Sequence, residues 1–268
     1  MYAFEYHRPT SVGQAASLAT EFEDVKFLAG GHTLLPTMKL RLAGPANLID
    51  LGRIAELRGI GRSGQTITIG AMTTHAEVAN SAEVREAIPA LAEMAELIGD
   101  PHVRHRGTIG GSIANNDPSA DYPAACLALN ATIVTNNRRI AADEFFQGIF
   151  TTALEEGEII TEVSFQIPEQ AAYAKFRNPA SRYALVGVFV ARYGSEARVA
   201  VTGAGANGVF RVPEMEQALG RQFSPDALDG ITVPADGMNS DIHADAAYRA
   251  HLVGVMARRA VQAATSRG

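Results

Sequence analysis

Two glycine–glycine turns constrain this chain more than any other feature: Ala29-Gly30-Gly31-His32-Thr33 and Thr108-Ile109-Gly110-Gly111-Ser112. Each follows an apolar stretch and stands beside a small hydroxyl residue. A turn without Cβ atoms lets a ligand come close to the backbone, and its N–H groups can converge on an anion. One such turn is common. Two in one chain, alike in chemistry, predict two jaws closing on a long phosphate-bearing ligand, for which the diphosphate of a dinucleotide is the natural candidate. The first turn continues as Thr33-Leu34-Leu35-Pro36-Thr37-Met38-Lys39 and lacks the G-x-x-x-x-G-K-[ST] pattern of a P-loop. Taken alone, it also reads as an ordinary strand-to-helix turn.

The chain has 268 residues, 47% of them hydrophobic and 19% charged, enough for one large domain or two to three small ones. Its net charge of −6 argues against nucleic acid, which is bound through a basic surface. The first residues, Met1 to Tyr6, lack the basic and apolar regions of a signal peptide. The longest apolar run, Ala184 to Ala191, is too short to span a bilayer. Cys126 is the only cysteine, so no internal disulfide can form, which fits the cytoplasm. The same count excludes an all-cysteine iron–sulfur cluster within the chain, because one cluster takes four thiolates.

Apolar spacing predicts a helix over 11–22, then a strand from Val25 to Leu28 entering the first turn and a second from Asn47 to Leu51. Together these make a compact β–α–β-like unit of about fifty residues. Thr66 to Ile69 alternates like a strand. Residues 82–98 carry a helical stripe that Pro89 splits in two, with His102 to Arg106 as a basic loop beyond it. Strands follow near 131–135 and 158–167, and Pro168 to Ala171 reads as a linker. Beyond it, Ala184–Arg192 and Arg198–Thr202 read as paired strands, and Pro213–Leu219 and Ala244–Ala264 as helices. The class is α+β with a boundary near 170.

The weaker motifs divide between functional and plain readings. Asp121, shortly after the second turn, suits either ribose hydroxyls or helix capping. Gly203-Ala204-Gly205-Ala206-Asn207-Gly208 matches G-x-G-x-x-G, yet Val209-Phe210-Arg211 does not open a helix on the last glycine, so a nucleotide site is disfavoured. His102 and His105 lack a partner at zinc-ligand spacing and read as surface residues. No catalytic acid or base is assigned, and no metal-binding residue.

Together the residues resemble a known family. Ala29 to Pro36 with Met38-Lys39, then Thr108 to Ser112 with Asp117 to Asp121, are similar to the FAD-binding medium subunit of the molybdenum hydroxylases, the group of carbon-monoxide dehydrogenase and xanthine dehydrogenase. Phe145-Phe146-Gln147-Gly148, Glu158 to Thr161, Lys175-Phe176, Ala180 to Arg182, and Asp241 to Ala244 with Tyr248-Arg249 extend the likeness over almost the whole chain. Ser112 stands where relatives often carry Asp or Asn, and Asn116 is a variable place.

The resemblance implies a vanillyl-alcohol-oxidase-like (PCMH-type) FAD-binding domain over 1–170, with subdomains of about 1–52 and 53–170, and a sheet-plus-helix domain over 171–268. It implies that Ala29, Gly30, Gly31, His32, Thr33 and Leu34 hold FAD together with Thr108, Ile109, Gly110, Gly111 and Ser112. The two turns would take the diphosphate on their backbone N–H groups, Leu34 would approach the flavin ring, and Asp121 would take the ribose. Asn115, Ile160 and Lys175 complete the expected contacts. The implied role is electron transfer, from [2Fe-2S] clusters in a small partner subunit, through FAD here, to a quinone, NAD or oxygen. A large molybdopterin subunit would hold the substrate, in a dimer of heterotrimers that is cytoplasmic or reaches a membrane through the assembly. A stand-alone flavin oxidoreductase and a flavin-free scaffold are the alternatives. Bulky residues at Gly110 and Gly111 are expected to abolish FAD retention and leave the fold intact.

Overall fold

The computed structural model describes residues 1–266. Its first sheet is small and parallel, with Asn47–Asp50 between Glu5–His7 and Val25–Leu28. The helix Val12–Glu21 makes the crossover. Ser11 starts it by accepting the Gln14 N–H, and the buried Ala15 packs in one cluster with Ile49. The first glycine turn leaves the carboxyl end of Val25–Leu28 and runs into the helix Leu34–Lys39. In parallel α/β units this is the end at which ligands bind.

The second sheet has five antiparallel strands in the order Ile60–Ser63, Thr66–Gly70, Ile160–Gln166, Thr132–Thr135, Arg139–Ala141. Ile67, Ile69, Ile133, Val163 and Phe165 send its apolar face into the main core. The helices over that face include Ala82–Ala87 and Pro89–Glu96, with Pro89 in the first turn of the second, as expected.

The third sheet pairs Gln170–Arg177, Ala184–Tyr193, Glu196–Thr202 and Phe210–Arg211, all antiparallel. Its long strand explains the unbroken apolar run. Val186, Val188 and Val190 pack with Leu252, Met256 and Val261 of the helix Ala246–Thr265. Phe189 and Ala191 face the other way, into the core that holds Cys126 and Leu127 of the helix Tyr122–Ala128. A strand covered on both faces loses the polar alternation of a half-exposed one.

The differences from the sequence reading are local. The expected linker is strand from Gln170 onward, because Gln170 already pairs with Arg192. The basic loop contains a short helix, Pro101–Arg104, capped by Asp100 accepting from the Val103 N–H. Helices at His75–Asn80, Ile109–Asn115 and Tyr122–Ala128 were not expected. Two of the three have only six or seven residues, too short to show a helical period, and the third is buried all round.

Candidate functional site

The two glycine turns meet backbone to backbone. A Cβ built on Gly30 would stand 2.2 Å from the Arg106 carbonyl oxygen and 2.7 Å from Gly107 Cα. A Cβ on Gly111 would stand 3.3 Å from Ala29 Cβ and 2.9 Å from Thr108 Oγ1. Gly31 has a φ of +77°, a conformation that favours glycine. The apposition therefore needs glycine for closeness at two places and for conformation at a third.

The N–H groups of the turns are used differently. Among the described residues, those of Gly30, Gly31, His32, Thr33 and Leu34 donate to no protein acceptor, and Thr33 makes no side-chain capping bond. In the second turn the donors are spent within the chain. Ile109 N–H donates to Thr73 O (3.1 Å), Gly110 N–H to Ala71 O (2.8 Å), and Ser112 N–H to Thr108 O (3.0 Å). Gly111 N–H donates to Thr108 Oγ1 at 3.1 Å. Within the protein the first turn leaves its N–H groups unclaimed, whereas those at the helix start of the second are engaged by Thr108 and the Ala71–Thr73 segment. A run of unclaimed N–H groups from consecutive residues is an anion-binding element.

Beside this junction lies a cleft of about 650 Å³, whose lining includes Ala29, Gly30, Arg106 and Thr108 together with Arg8, Asp50, Arg58, Glu77 and Asn80. A volume of this order suits a small-molecule or cofactor site.

A second polar cluster is buried behind the second turn. Lys175 Nζ lies 2.8 Å from Asp121 Oδ2, and the side chains are 1% and 5% exposed. Tyr173 donates its hydroxyl to the other Asp121 oxygen, and Lys175 also donates to Leu97 O at 3.4 Å. Burial pushes the Asp121 carboxyl up, against the opposing pull of Lys175 and Tyr173. Asp121 precedes the helix Tyr122–Ala128 yet makes no capping bond, so the plain reading of this residue does not hold.

Residues 2–170 match the FAD binding domain in molybdopterin dehydrogenase. The chain belongs to that family. It is 41% identical to the carbon monoxide dehydrogenase medium chain of Hydrogenophaga pseudoflava, over 98% of each chain. It is 35% identical to the nicotine 6-hydroxylase medium subunit of Paenarthrobacter nicotinovorans, over 99% of this chain and 98% of the relative. Among solved structures, the reconstituted CO dehydrogenase from Oligotropha carboxidovorans contains a chain that superposes with a TM-score of 0.90 at 36% identity, covering 100% of this chain and 99% of that one. The expected α+β fold is the fold of these proteins.

FAD is the cofactor of the family's domain, and the first turn fits its diphosphate through the five unclaimed N–H groups. The other expected contacts fall into connected places. Ile109 and Gly110 are buried, and Gly111 and Ser112 are half-buried beside the first turn. Gly110 leans on Ala71, whose N–H donates to Thr161 O next to the buried Ile160. Asn115 ends the helix that begins at Ile109. Asp121 and Lys175 form the separate buried pair.

Three residues escaped the sequence reading. Tyr173 completes the Asp121 cluster, and nothing in an alternating strand marks it. His75 is buried, packs against Tyr122 at 5.3 Å between ring centroids, and has an unpartnered Nδ1. Asn116, read as a variable place, is buried at φ +44° and donates to Gly148 O (2.7 Å) and Thr151 O (2.9 Å). Asn is among the residues that tolerate this left-handed conformation, and that was the available signal.

Proposed function

We propose that this chain is the FAD-carrying electron-transfer subunit of a molybdenum hydroxylase. It takes electrons from [2Fe-2S] clusters of a small partner subunit and passes them to an external acceptor, while a large molybdopterin subunit binds the substrate. Names of relatives support the reading: the medium chains and subunits of carbon monoxide dehydrogenase and nicotine 6-hydroxylase align with this chain over nearly its whole length. Their named substrates differ in kind, so substrate choice belongs to another subunit in this reading. The single cysteine, Cys126, is buried, and its thiol is pushed up by that burial, which leaves cluster ligation to a partner.

The observation that carries the proposal is the run of unclaimed N–H groups from Gly30 to Leu34, held in place by the backbone contact with Arg106 and Gly107. FAD, when bound, supplies the redox chemistry. The chain positions it. The first turn neutralises the diphosphate, the second turn sets the spacing, and Leu34 follows at the start of its helix. Asp121 with Tyr173 and Lys175 offers a fixed polar group behind the second turn, for the ribose end of the reading. The division into 1–170 and 171–268 belongs to the same proposal and is supported by the end of the family match at residue 170. No helix among the described residues is long and apolar enough to cross a membrane.

The test is a visible spectrum of the purified protein, with the released cofactor identified by mass. One FAD per chain, with a larger and a smaller partner co-purifying, supports the reading. FAD on an isolated chain that turns over a substrate by itself supports a stand-alone oxidoreductase. No flavin after reconstitution overturns the flavin assignment.

A further inference from the structure

The turn after the helix Leu34–Lys39 leaves apolar side chains uncovered. Leu40 is 70% exposed and Leu42 77%. Arg41, between them, has a φ of +60°, the left-handed conformation that glycine usually supplies at a helix end. Main-chain bonds hold it there: Arg41 N–H donates to Met38 O (3.1 Å) and Leu42 N–H to Thr37 O (2.9 Å). The Arg41 guanidinium lies over the Tyr2 ring, 5.6 Å from its centroid. Tyr2 is exposed in turn and packs on Gly44, where a Cβ would stand 2.8 Å from Tyr2 Cδ2. Two exposed leucines, a tyrosine and an arginine thus share one corner of the first subdomain. Single exposed apolar residues are ordinary, whereas gathered ones mark a surface that another molecule covers. The corner is also basic. Lys39 and Arg41 are exposed, and neither pairs with a carboxylate among the described residues, in a chain of net charge −6.

We propose that this corner docks the iron–sulfur subunit that delivers electrons to the flavin. The proposal rests on the electron-transfer reading above. Place and charge choose this occupant. The helix Leu34–Lys39 has six residues and rises about 9 Å, so the corner stands one short helix away from Leu34, the residue at the flavin ring in that reading. Electron transfer weakens steeply with distance, and a donor therefore has to dock close to the ring. A [2Fe-2S] cluster with four thiolates is a net anion, because the thiolates and sulfides outweigh two ferric ions. Lys39 and Arg41 complement it, and complementary charge steers encounter and fixes orientation. Tyr2 and the two leucines supply the apolar contact that the centre of an interface uses. A second copy of this chain fits the corner poorly. An isologous contact would set Lys39 and Arg41 of one copy against the same two cations of the other.

The experiment uses the full FAD-loaded chain, with the small iron–sulfur subunit as the probe, and measures flavin content, thermal unfolding and affinity for that subunit. Leu40→Glu combined with Leu42→Glu keeps the flavin and the unfolding midpoint of the wild type, and weakens the subunit by about tenfold or more. Arg41→Gly eases the left-handed backbone, so its unfolding midpoint holds at the wild-type value or above. It still weakens the subunit and flattens the dependence of binding on salt, because a screened charge has been removed. A merely structural role for the turn would move stability and binding together and leave the salt slope unchanged. A double glutamate variant that binds the iron–sulfur subunit as the wild type does overturns the docking assignment alone. So does one that loses only the molybdopterin subunit, or only a dimer of this chain. A wild-type chain that takes no FAD, or takes FAD and binds no iron–sulfur subunit, overturns the electron-transfer reading and this proposal together.

Discussion

Lys175 and Asp121 form an ion pair 2.8 Å long with almost no exposure to solvent. The strand Gln170–Arg177 of the third sheet thereby reaches across to the segment that follows the second glycine turn, and Tyr173, two residues earlier on the same strand, holds the other carboxylate oxygen. Residues i and i+2 share one face of a strand, so a single strand supplies both partners.

That pair predicts an asymmetric response to mutation. Asp121→Asn leaves a buried ammonium without its counter-charge and is expected to cost about 3–5 kcal/mol. Combining Asp121→Asn with Lys175→Met removes both charges and is expected to recover a large part of that loss. Urea denaturation of the two single variants and the double variant checks this. Simple additivity of the two losses contradicts the pairing.

The glycines are not equivalent. Alanine at Gly30 puts a Cβ 2.2 Å from the Arg106 carbonyl oxygen, and both groups are main chain, so the turns must separate. The expected cost is about 1–3 kcal/mol, with FAD retention lost. Alanine at Gly111 meets the Thr108 hydroxyl at 2.9 Å and the Ala29 methyl at 3.3 Å, a milder overlap than main chain at 2.2 Å. Gly30→Ala should therefore retain less flavin than Gly111→Ala, read from the ratio of flavin to protein absorbance. Gly110 does not serve for this test. It is buried, its Cβ would stand 2.6 Å from Ala71 Cβ and 2.7 Å from Ala71 O, and a bulky residue there disturbs the core as well as the cofactor site.

Asn116 predicts a second stability effect. Its side chain ties the end of the glycine helix to the hairpin at Gly148 and Thr151, and Phe150 N–H returns a bond to Asn116 O at 3.1 Å. Asn116→Gly keeps the left-handed backbone and loses the side-chain bonds, whereas Asn116→Ala loses the bonds and adds strain. Thermal unfolding should rank them wild type, then Gly, then Ala, with Ala about 1–3 kcal/mol below the wild type. Equal melting of Ala and Gly contradicts the role of the backbone conformation.

The sequence made some of this legible and hid the rest for physical reasons. The strand Val25–Leu28 and the helix break at Pro89 were readable because each is set by local pattern. The junction of the two turns was legible as a pairing of motifs, but the direction of their N–H groups was not. Whether a glycine turn offers its donors depends on Ala71, Thr73 and Thr108, and on a strand pairing about forty residues earlier in the chain. Asp121 was singled out for its position, yet its partners lie on a strand that the sequence reading took in part for a linker. Long-range pairing of this kind leaves no periodic trace.

Glu158 predicts an acid limit. Its buried carboxylate accepts from Arg138, from Thr135 Oγ1 at 2.7 Å and from the Glu155 N–H at 2.8 Å. The Arg138 bonds, with help from Glu155 and Thr135, pull its pKa down from 4.5 to about 2. A depressed carboxylate pKa contributes stability that is complete above the unfolded value and is lost as pH falls from 4.5 toward about 2. Glu158→Gln should lower stability at pH 7 by about 1–3 kcal/mol and narrow its gap to the wild type below pH 4.5. Denaturation midpoints of the two proteins at pH 7 and pH 3 check this, and a constant gap contradicts it.

His75 costs stability on acidification in the same sense, and its window lies closer to neutral. Burial, aided by the nearby His32 and Arg104, pulls its pKa from 6.5 to about 4. Its ring lies against Gly107, where a Cβ would stand 2.6 Å from His75 Nε2, and against Tyr122, whose hydroxyl is also unpartnered. The folded protein holds this imidazole neutral, while the unfolded chain takes up a proton below pH 6.5. The unfolded state then binds more protons, so stability falls as pH drops from 6.5 toward 4 and changes no further below that. Between pH 7.5 and pH 5 the loss is about 2 kcal/mol from this residue. His75→Gln has no proton to take up and should remove that part of the slope, whatever it does to stability at neutral pH. The comparison to make is the pH dependence of the two proteins, from urea midpoints at pH 7.5, 6 and 5. Because Gly107 joins His75 to the Gly30 contact, the same acid window should also loosen the junction of the turns, and flavin release on acidification should begin at a lower pH in His75→Gln than in the wild type. Coincident release curves would disconnect this histidine from the cofactor cleft.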